Sequence, residues 1–305
     1  MTVQNRTLTA VEGLKVGHWS DPEAKTGCTV VLCPPEGCLA SGVIMGSAPG
    51  SRESALLDPA KTVERIHGLV FSGGSAYGLA SAGGVMRWLE EHGIGFPTPF
   101  GLVPIVPASV IYDLGVGRAD VRPGEQEGYR AACEATYGVV ETGAVGAGTG
   151  ATIGKHLGVE RAVAGGLGCA ALEFQGVTVA ALVVCNALGC VVDPNTGREV
   201  AGRLGTLQDL VTGFGDQSMG TNTTLIVVAT DAPLAKAGAN LLAQHAYYGL
   251  ARVTRPTTVF DGDSAFVLST ARGPALPLAA LSVAVQEVVV EAVLQGIRAV
   301  RRSGG

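Results

Sequence analysis

The run Thr223-Thr-Leu-Ile-Val-Val-Ala-Thr230 constrains this chain more than any other feature. β-Branched and apolar residues in an unbroken stretch make a strong strand, and it reads as a central one. Asp231 is placed to cap a helix that Pro233 begins and Gly249 ends. A long C-terminal helix is expected after Pro277, running to about Arg302. Upstream, residues 28–32 and 68–71 read as buried strands, and 103–112 as strand-like despite Pro104 and Pro107. An apolar face spanning Ala76 to Leu89 predicts a helix over 75–91 that Gly93 terminates. Residues 121–137 read as a surface loop plus helix, 177–184 and 190–192 as a strand pair, and 203–220 as a polar linker. Strands and helices alternate irregularly, which implies α/β layers rather than a doubly wound sheet.

Composition sets outer limits. The chain has 305 residues, 47% hydrophobic and 15% charged, enough for a large core in one unit. Its 45 glycines signal many tight turns and close backbone approaches. A net charge of -5 argues against a nucleic-acid partner, and the basic trio Arg298, Arg301 and Arg302 reads as a helix end. Seven cysteines without a C-x-x-C pair fit reduced thiols in a cytoplasmic protein. The scattered histidines lack metal-ligand spacing, so no metal is expected. Residues 1–9 are polar and do not read as a signal peptide. No apolar stretch reaches membrane-spanning length without Gly or charge, so no membrane partner is expected.

Four motifs invite a function. Gly146-Ala-Gly-Thr-Gly-Ala151 fits a dinucleotide fingerprint, but it is too glycine-rich to open a helix and lacks a βαβ unit. Gly154-Lys155 imitates the end of a P-loop, with Thr149 and His156 where Gly and Ser or Thr are required. Gly73-Gly74-Ser75-Ala76-Tyr77 imitates a nucleophile elbow with Tyr77 in place of the last Gly; Asp231 and His245 follow in the right order for a triad. The fourth is Gly220-Thr221-Asn222-Thr223-Thr224, a loop entering the strong strand. A Thr hydroxyl there can attack the preceding carbonyl and form an ester that water then opens. Thr223 would become a chain end holding a nucleophile and its own base, because an α-amine titrates at about 7.7–8.0.

Many ordered segments resemble one family. They include Val16-Gly17-His18, Gly46-Ser-Ala-Pro-Gly-Ser-Arg52-Glu53, Gly73–Leu79, Val106–Gly115, Val145–Lys155, Asn222-Thr223-Thr224 and Asp261-Gly262-Asp263. Across nearly its whole length the chain looks like the DOM-fold N-terminal-nucleophile peptidases: L-aminopeptidase/D-esterases, β-peptidyl aminopeptidases and nylon-oligomer hydrolases. The resemblance implies a single αββα four-layer sandwich, self-cleaved into 1–222 and 223–305. It implies Thr223 as nucleophile, Asn222–Thr223 as the scissile bond, Lys155 beside the nucleophile, Asn186 as a donor and Tyr112 in an oxyanion hole. No cofactor is implied, and the family suggests a homotetramer.

Asp261 and Asp263 flank a Gly. In an extended segment they point the same way and need a cation or a shared proton between them. The Asn-Thr and Asp-Gly-Asp pattern resembles the nylon-oligomer hydrolases more than aminopeptidases with Gly-Ser and a Ser/Glu pair. Exopeptidase and endo-amidase action on small peptides or amides therefore both stay open. A Ser75 hydrolase and an unprocessed ligand-binding protein are the alternatives.

Overall fold

The structure, a computed structural model, describes residues 5–209, 221–259 and 261–303. The strands of its two large sheets are β1 (Lys15–Asp21), β2 (Thr26–Leu32), β3 (Cys38–Ile44), β4 (Ser51–Arg52), β5 (Arg65–Ile66) and β6 (Gly68–Ser72). They continue with β7 (Ala108–Val110), β8 (Gly166–Phe174), β9 (Val177–Asn186), β10 (Thr223–Thr230) and β11 (Ser264–Ser269). The helices are α1 (Ser81–Glu91), α2 (Glu125–Cys133), α3 (Lys236–Val253) and α4 (Leu278–Ser303).

Two sheets lie face to face. One has the order β1-β2-β6-β7-β4 and the other β8-β9-β10-β11-β3-β5. β10 pairs antiparallel with β9 and parallel with β11, so it is interior to its sheet. Its side chains explain its unbroken apolar sequence. Leu225, Val227 and Ala229 face the first sheet, packing in one core with Leu69, Phe71 and Phe266. Ile226 and Val228 face the other way, into the core that α3 and α4 close with Leu242, Leu250, Leu281 and Val289. Each fully buried Val, Leu or Ile contributes about 1.5–3 kcal/mol. On the far side, Val30 and Val70 of the first sheet meet Val85 and Leu89 of α1 and Ala131 of α2. The layers are therefore α1/α2, sheet, sheet, α3/α4: the expected αββα sandwich.

Several local expectations are corrected. Residues 177–184 do not pair with 190–192. Gln175 and Gly176, with φ of 51° and 77°, make a tight two-residue turn that folds β9 back on β8, and β10 takes its other edge. Two positive φ values match the twist of such a hairpin, so the local partner wins. Cys190–Val192 instead joins Glu199–Ala201 and Thr254–Arg255 in a small separate sheet. Within 103–112 Val103 ends a short strand, Gly101–Val103, and Ala108–Val110 is the next; residues 104–107 between them are not strand, because prolines 104 and 107 supply no ladder donor. The helix expected over 75–91 opens as a 3-10 turn, Ser75–Ala80, before turning α at Ser81.

Asp231 does not cap α3; it accepts the Thr178 N–H at 2.9 Å, and the helix starts at Lys236. Gly249 does not end α3 but lies where it crosses α4, with the Gln286 carbonyl 2.8 Å from where a Cβ would sit. The linker expected over 203–220 falls outside the described residues from 210 onward. α4 is long and apolar enough to cross a membrane by length and hydropathy, although it carries Glu287, Glu291 and Gly296. In the fold it packs on β8, β9 and α3.

Candidate active site

β9 and β10 bring the first two site residues together by register, with Asn186 opposite Thr223. Asn186 is fully buried, and a buried amide has to be satisfied. Its Oδ1 accepts the Thr152 N–H at 2.9 Å and Lys155 Nζ at 3.0 Å, while Nδ2 donates to the Thr221 carbonyl at 3.3 Å. Lys155, in the short 3-10 turn Lys155–Leu157, also donates to the Asn186 carbonyl at 3.0 Å and the Thr221 carbonyl at 3.4 Å. Three acceptors suit an ammonium. Burial opposes the charge and lowers the Lys155 pKa to about 7, with Asp261 pulling weakly the other way. Free amine and ammonium are thus both accessible near neutrality.

The junction before β10 is held from the other side. Asn222 bridges Asp261, and the Gly262 N–H donates to the Asn222 carbonyl oxygen at 2.8 Å. Thr223 Oγ1 donates to the same oxygen at 2.6 Å. The carbonyl that Thr223 would attack is therefore already polarised by a backbone N–H, and the hydroxyl lies against it. Asn222 and Thr223 are both buried.

The two aspartates are buried as well, and neither forms a salt bridge among the described residues. Asp261 accepts from Thr258 N–H at 3.0 Å, Thr258 Oγ1 at 2.8 Å and, weakly, Leu188 N–H at 3.4 Å. Asp263 accepts the Thr224 N–H at 2.6 Å. Burial, helped by the neighbouring Asp261 charge, raises Asp263 to about 8, and burial raises Asp261 too. Of the two ways to hold like charges close, a proton on Asp263 is the one this environment favours.

Tyr112 stands apart from this network. It follows β7 of the other sheet and shares the wall of a cavity of about 400 Å³ with Gly115, Val116, Thr152, Lys155, Val159, Ala162 and Thr221. Six expected residues therefore gather: Asn222, Thr223, Asn186, Lys155, Asp261 and Asp263. Tyr112 shares the cavity wall with only one of them, Lys155. Sequence reasoning missed the Gly262 N–H, the Thr152 N–H and Thr258, which act through backbone atoms or a hydroxyl whose residue type carries no signal.

The Ser75 triad does not assemble. Asp231 is bonded to Thr178, and His245 Nδ1 lies 3.1 Å from the Gln286 amide between α3 and α4. Ser75 sits beyond β6 in the other sheet, at the first position of the 3-10 turn and with φ 54°. The Gly146–Gly148 segment forms one 3-10 turn with no helix behind it, which removes the dinucleotide reading.

Comparison with known proteins follows the same lines. An uncharacterized aminopeptidase of Mycobacterium tuberculosis is 43% identical over 288 residues, covering 87% of this chain and 81% of the relative. One from Mycobacterium leprae is 41% identical over 304 residues, covering 88% and 80%. Among solved structures, the L-aminopeptidase D-Ala-esterase/amidase of Ochrobactrum anthropi, described as a variant of the Ntn hydrolase fold, superposes with TM-score 0.74. It shares 20% identity over 98% of this chain and 87% of that one. A Burkholderia sp. beta-aminopeptidase gives 0.70 at 22% identity, over 97% and 87%. The solved structures match the fold, and residues 6–305 match peptidase family S58, to which this chain belongs.

Proposed function

We propose that this chain is an aminopeptidase that activates itself by cutting between Asn222 and Thr223, then uses Thr223 as an N-terminal nucleophile. The observation that carries the reading is the short contact of Thr223 Oγ1 with the Asn222 carbonyl, which also accepts the Gly262 N–H. In the first step Thr223 Oγ bonds to the Asn222 carbonyl carbon and the C–N bond breaks. The hydroxyl proton ends on the departing amine. Water then opens the ester, leaving an Asn222 carboxylate and a free Thr223 amine and hydroxyl. In turnover that amine takes the hydroxyl proton, and Oγ attacks the substrate carbonyl. Tyr112 and Asn186 hold the oxyanion, the amine product leaves, and water hydrolyses the acyl-enzyme. Lys155, able to carry charge near neutrality, keeps the α-amine unprotonated. Chains 1–222 and 223–305 stay packed, because β10 is interior to its sheet.

A second reading, cleavage of internal amides, rests on one observation. Among the described residues Lys155 is the only charged side chain lining the cavity, so a free substrate ammonium finds no carboxylate there.

Intact mass is the test. The 30.8 kDa chain divides, in proportion to length, into pieces of roughly 22 and 8.4 kDa once the peptide bond is hydrolysed. Both pieces are expected in the wild type and neither in Thr223→Ala. A wild type that stays whole on prolonged incubation refutes self-processing. Alanine p-nitroanilide with free and acetylated amine then separates aminopeptidase from internal-amide cleavage.

A further inference from the structure

Two glycine-rich segments remain unexplained by this chemistry: Gly73-Gly74-Ser75 and Gly146–Ala151. They converge on one buried carboxylate, Asp113, the residue after Tyr112, which is 3% exposed. Asp113 Oδ1 accepts the Gly74 N–H at 2.7 Å, and Oδ2 accepts the Thr26 hydroxyl at 2.8 Å. A Cβ at Gly73 would lie 2.0 Å from Oδ2 and 2.5 Å from Thr26 Oγ1. One at Gly150 would lie 2.8 Å from the Asp113 Cβ and 3.0 Å from Oδ2. Gly73 has no room for a side chain while Asp113 is in place, and Gly150 has none because the Lys25 carbonyl oxygen would lie 2.0 Å away with Asp113 beside it, so the two segments are the jaws around Asp113.

What Asp113 carries is one wall of the cavity. Its carbonyl accepts the Val116 N–H at 2.9 Å and closes a turn. Tyr112, before that turn, and Gly115 and Val116, within it, line the cavity opposite Lys155. Ile111 is tied to Ser72 and Ser75 by backbone bonds of 2.8 and 3.0 Å. The second jaw, Gly150, leads within a few residues to Thr152 and Lys155 on the facing wall. The carboxylate therefore ties the segment bearing Tyr112 to Gly74 and Thr26, and it packs against Gly150 of the segment bearing Lys155. Burial pushes its carboxyl up, and the Gly74 N–H and Thr26 hydroxyl counter that.

We infer that Asp113 is a positioning residue that fixes Tyr112 against Lys155 and acts on amide turnover through Tyr112. The inference rests on the proposed oxyanion role of Tyr112. It separates the two reactions: the Asn222 carbonyl is held by the Gly262 N–H, so self-processing does not depend on Asp113.

The test is a double-mutant cycle of Asp113→Asn and Tyr112→Phe, with kcat and KM on an amide substrate, the self-processing time course and thermal melting. Misplacing a catalytic donor costs on the order of 10–100-fold, so Asp113→Asn should lower kcat by that factor and leave KM and self-processing little changed. In the Tyr112→Phe background it should add nothing. A folded Asp113→Asn with wild-type kcat overturns the inference. So does a loss of the same size in both backgrounds. If Asp113→Asn does not fold, Thr26→Val removes one of the two bonds, and its smaller kcat loss must likewise vanish in Tyr112→Phe; unchanged kcat there overturns the inference. If Tyr112→Phe itself keeps wild-type kcat, the oxyanion role falls and takes this inference with it. An impaired Tyr112→Phe without coupling refutes the positioning role alone.

Discussion

Gly262→Ala puts the self-cleavage geometry to the test with a single methyl group. The new Cβ would lie 2.7 Å from Thr223 Oγ1 and 2.6 Å from the Ala48 carbonyl oxygen, where ordinary contact begins at 3.4 Å. Gly262 is not among the positive-φ glycines, so the backbone accepts Ala and the effect is one of space. Relieving the contact moves Oγ1 by about 0.7 Å, and a misplacement of that order costs up to roughly 100-fold in rate. The accompanying overpacking costs about 1–3 kcal/mol, a penalty the αββα core can carry. The assay is intact mass against time after purification, with thermal melting as the control for folding. Processing should slow by about 30–100-fold in a folded protein. A folded Gly262→Ala that cuts itself at the wild-type rate refutes the role given to this contact.

Other changes read the electrostatics and the core. Asn186→Asp places an anion within hydrogen-bond reach of Lys155 Nζ and so favours the ammonium. The loss of rate as Lys155 gives up its proton, centred in the wild type near its value of about 7, should move to higher pH in a rate profile; an unmoved profile excludes Lys155 as its source. For Asp263, the fold holds the proton up to about 8, whereas the unfolded chain releases it near the ordinary carboxylate value. The unfolded state therefore binds fewer protons in that window, and stability falls as pH rises through it. Asp263→Asn removes this loss, so its stability relative to wild type should be greater at pH 9 than at pH 5 in denaturant melts. Leu281→Ala, in the α4 face packed on the second sheet, should cost about 2–5 kcal/mol; a negligible cost would show that this face is not core.

The parts legible in the sequence were those where one residue type has few physical alternatives. An eight-residue run of β-branched and apolar residues has to be an interior strand, and β10 is one. A long apolar pattern after Pro277 has to be a helix, and α4 is one. A Thr after Asn at the head of that strand marked the junction where a hydroxyl and a carbonyl meet. The ordered family segments carried the layering with them, and they named residues that the fold brings near Thr223. Tertiary structure decided what depends on partners distant in the chain. The hairpin of β8 and β9 overrode the pairing read from apolar runs alone. The Gly262 N–H aimed at Asn222 is a backbone atom, and no residue pattern announces where a backbone donor points. Lys155 and Asp263 take their charge states from burial, which the sequence does not state. Among the glycines that looked like a nucleophile elbow and a nucleotide loop, Gly73 proved to be space left for Asp113 and Gly150 space left for the Lys25 carbonyl and Asp113. A glycine run records only that something lies close, and only the fold says what.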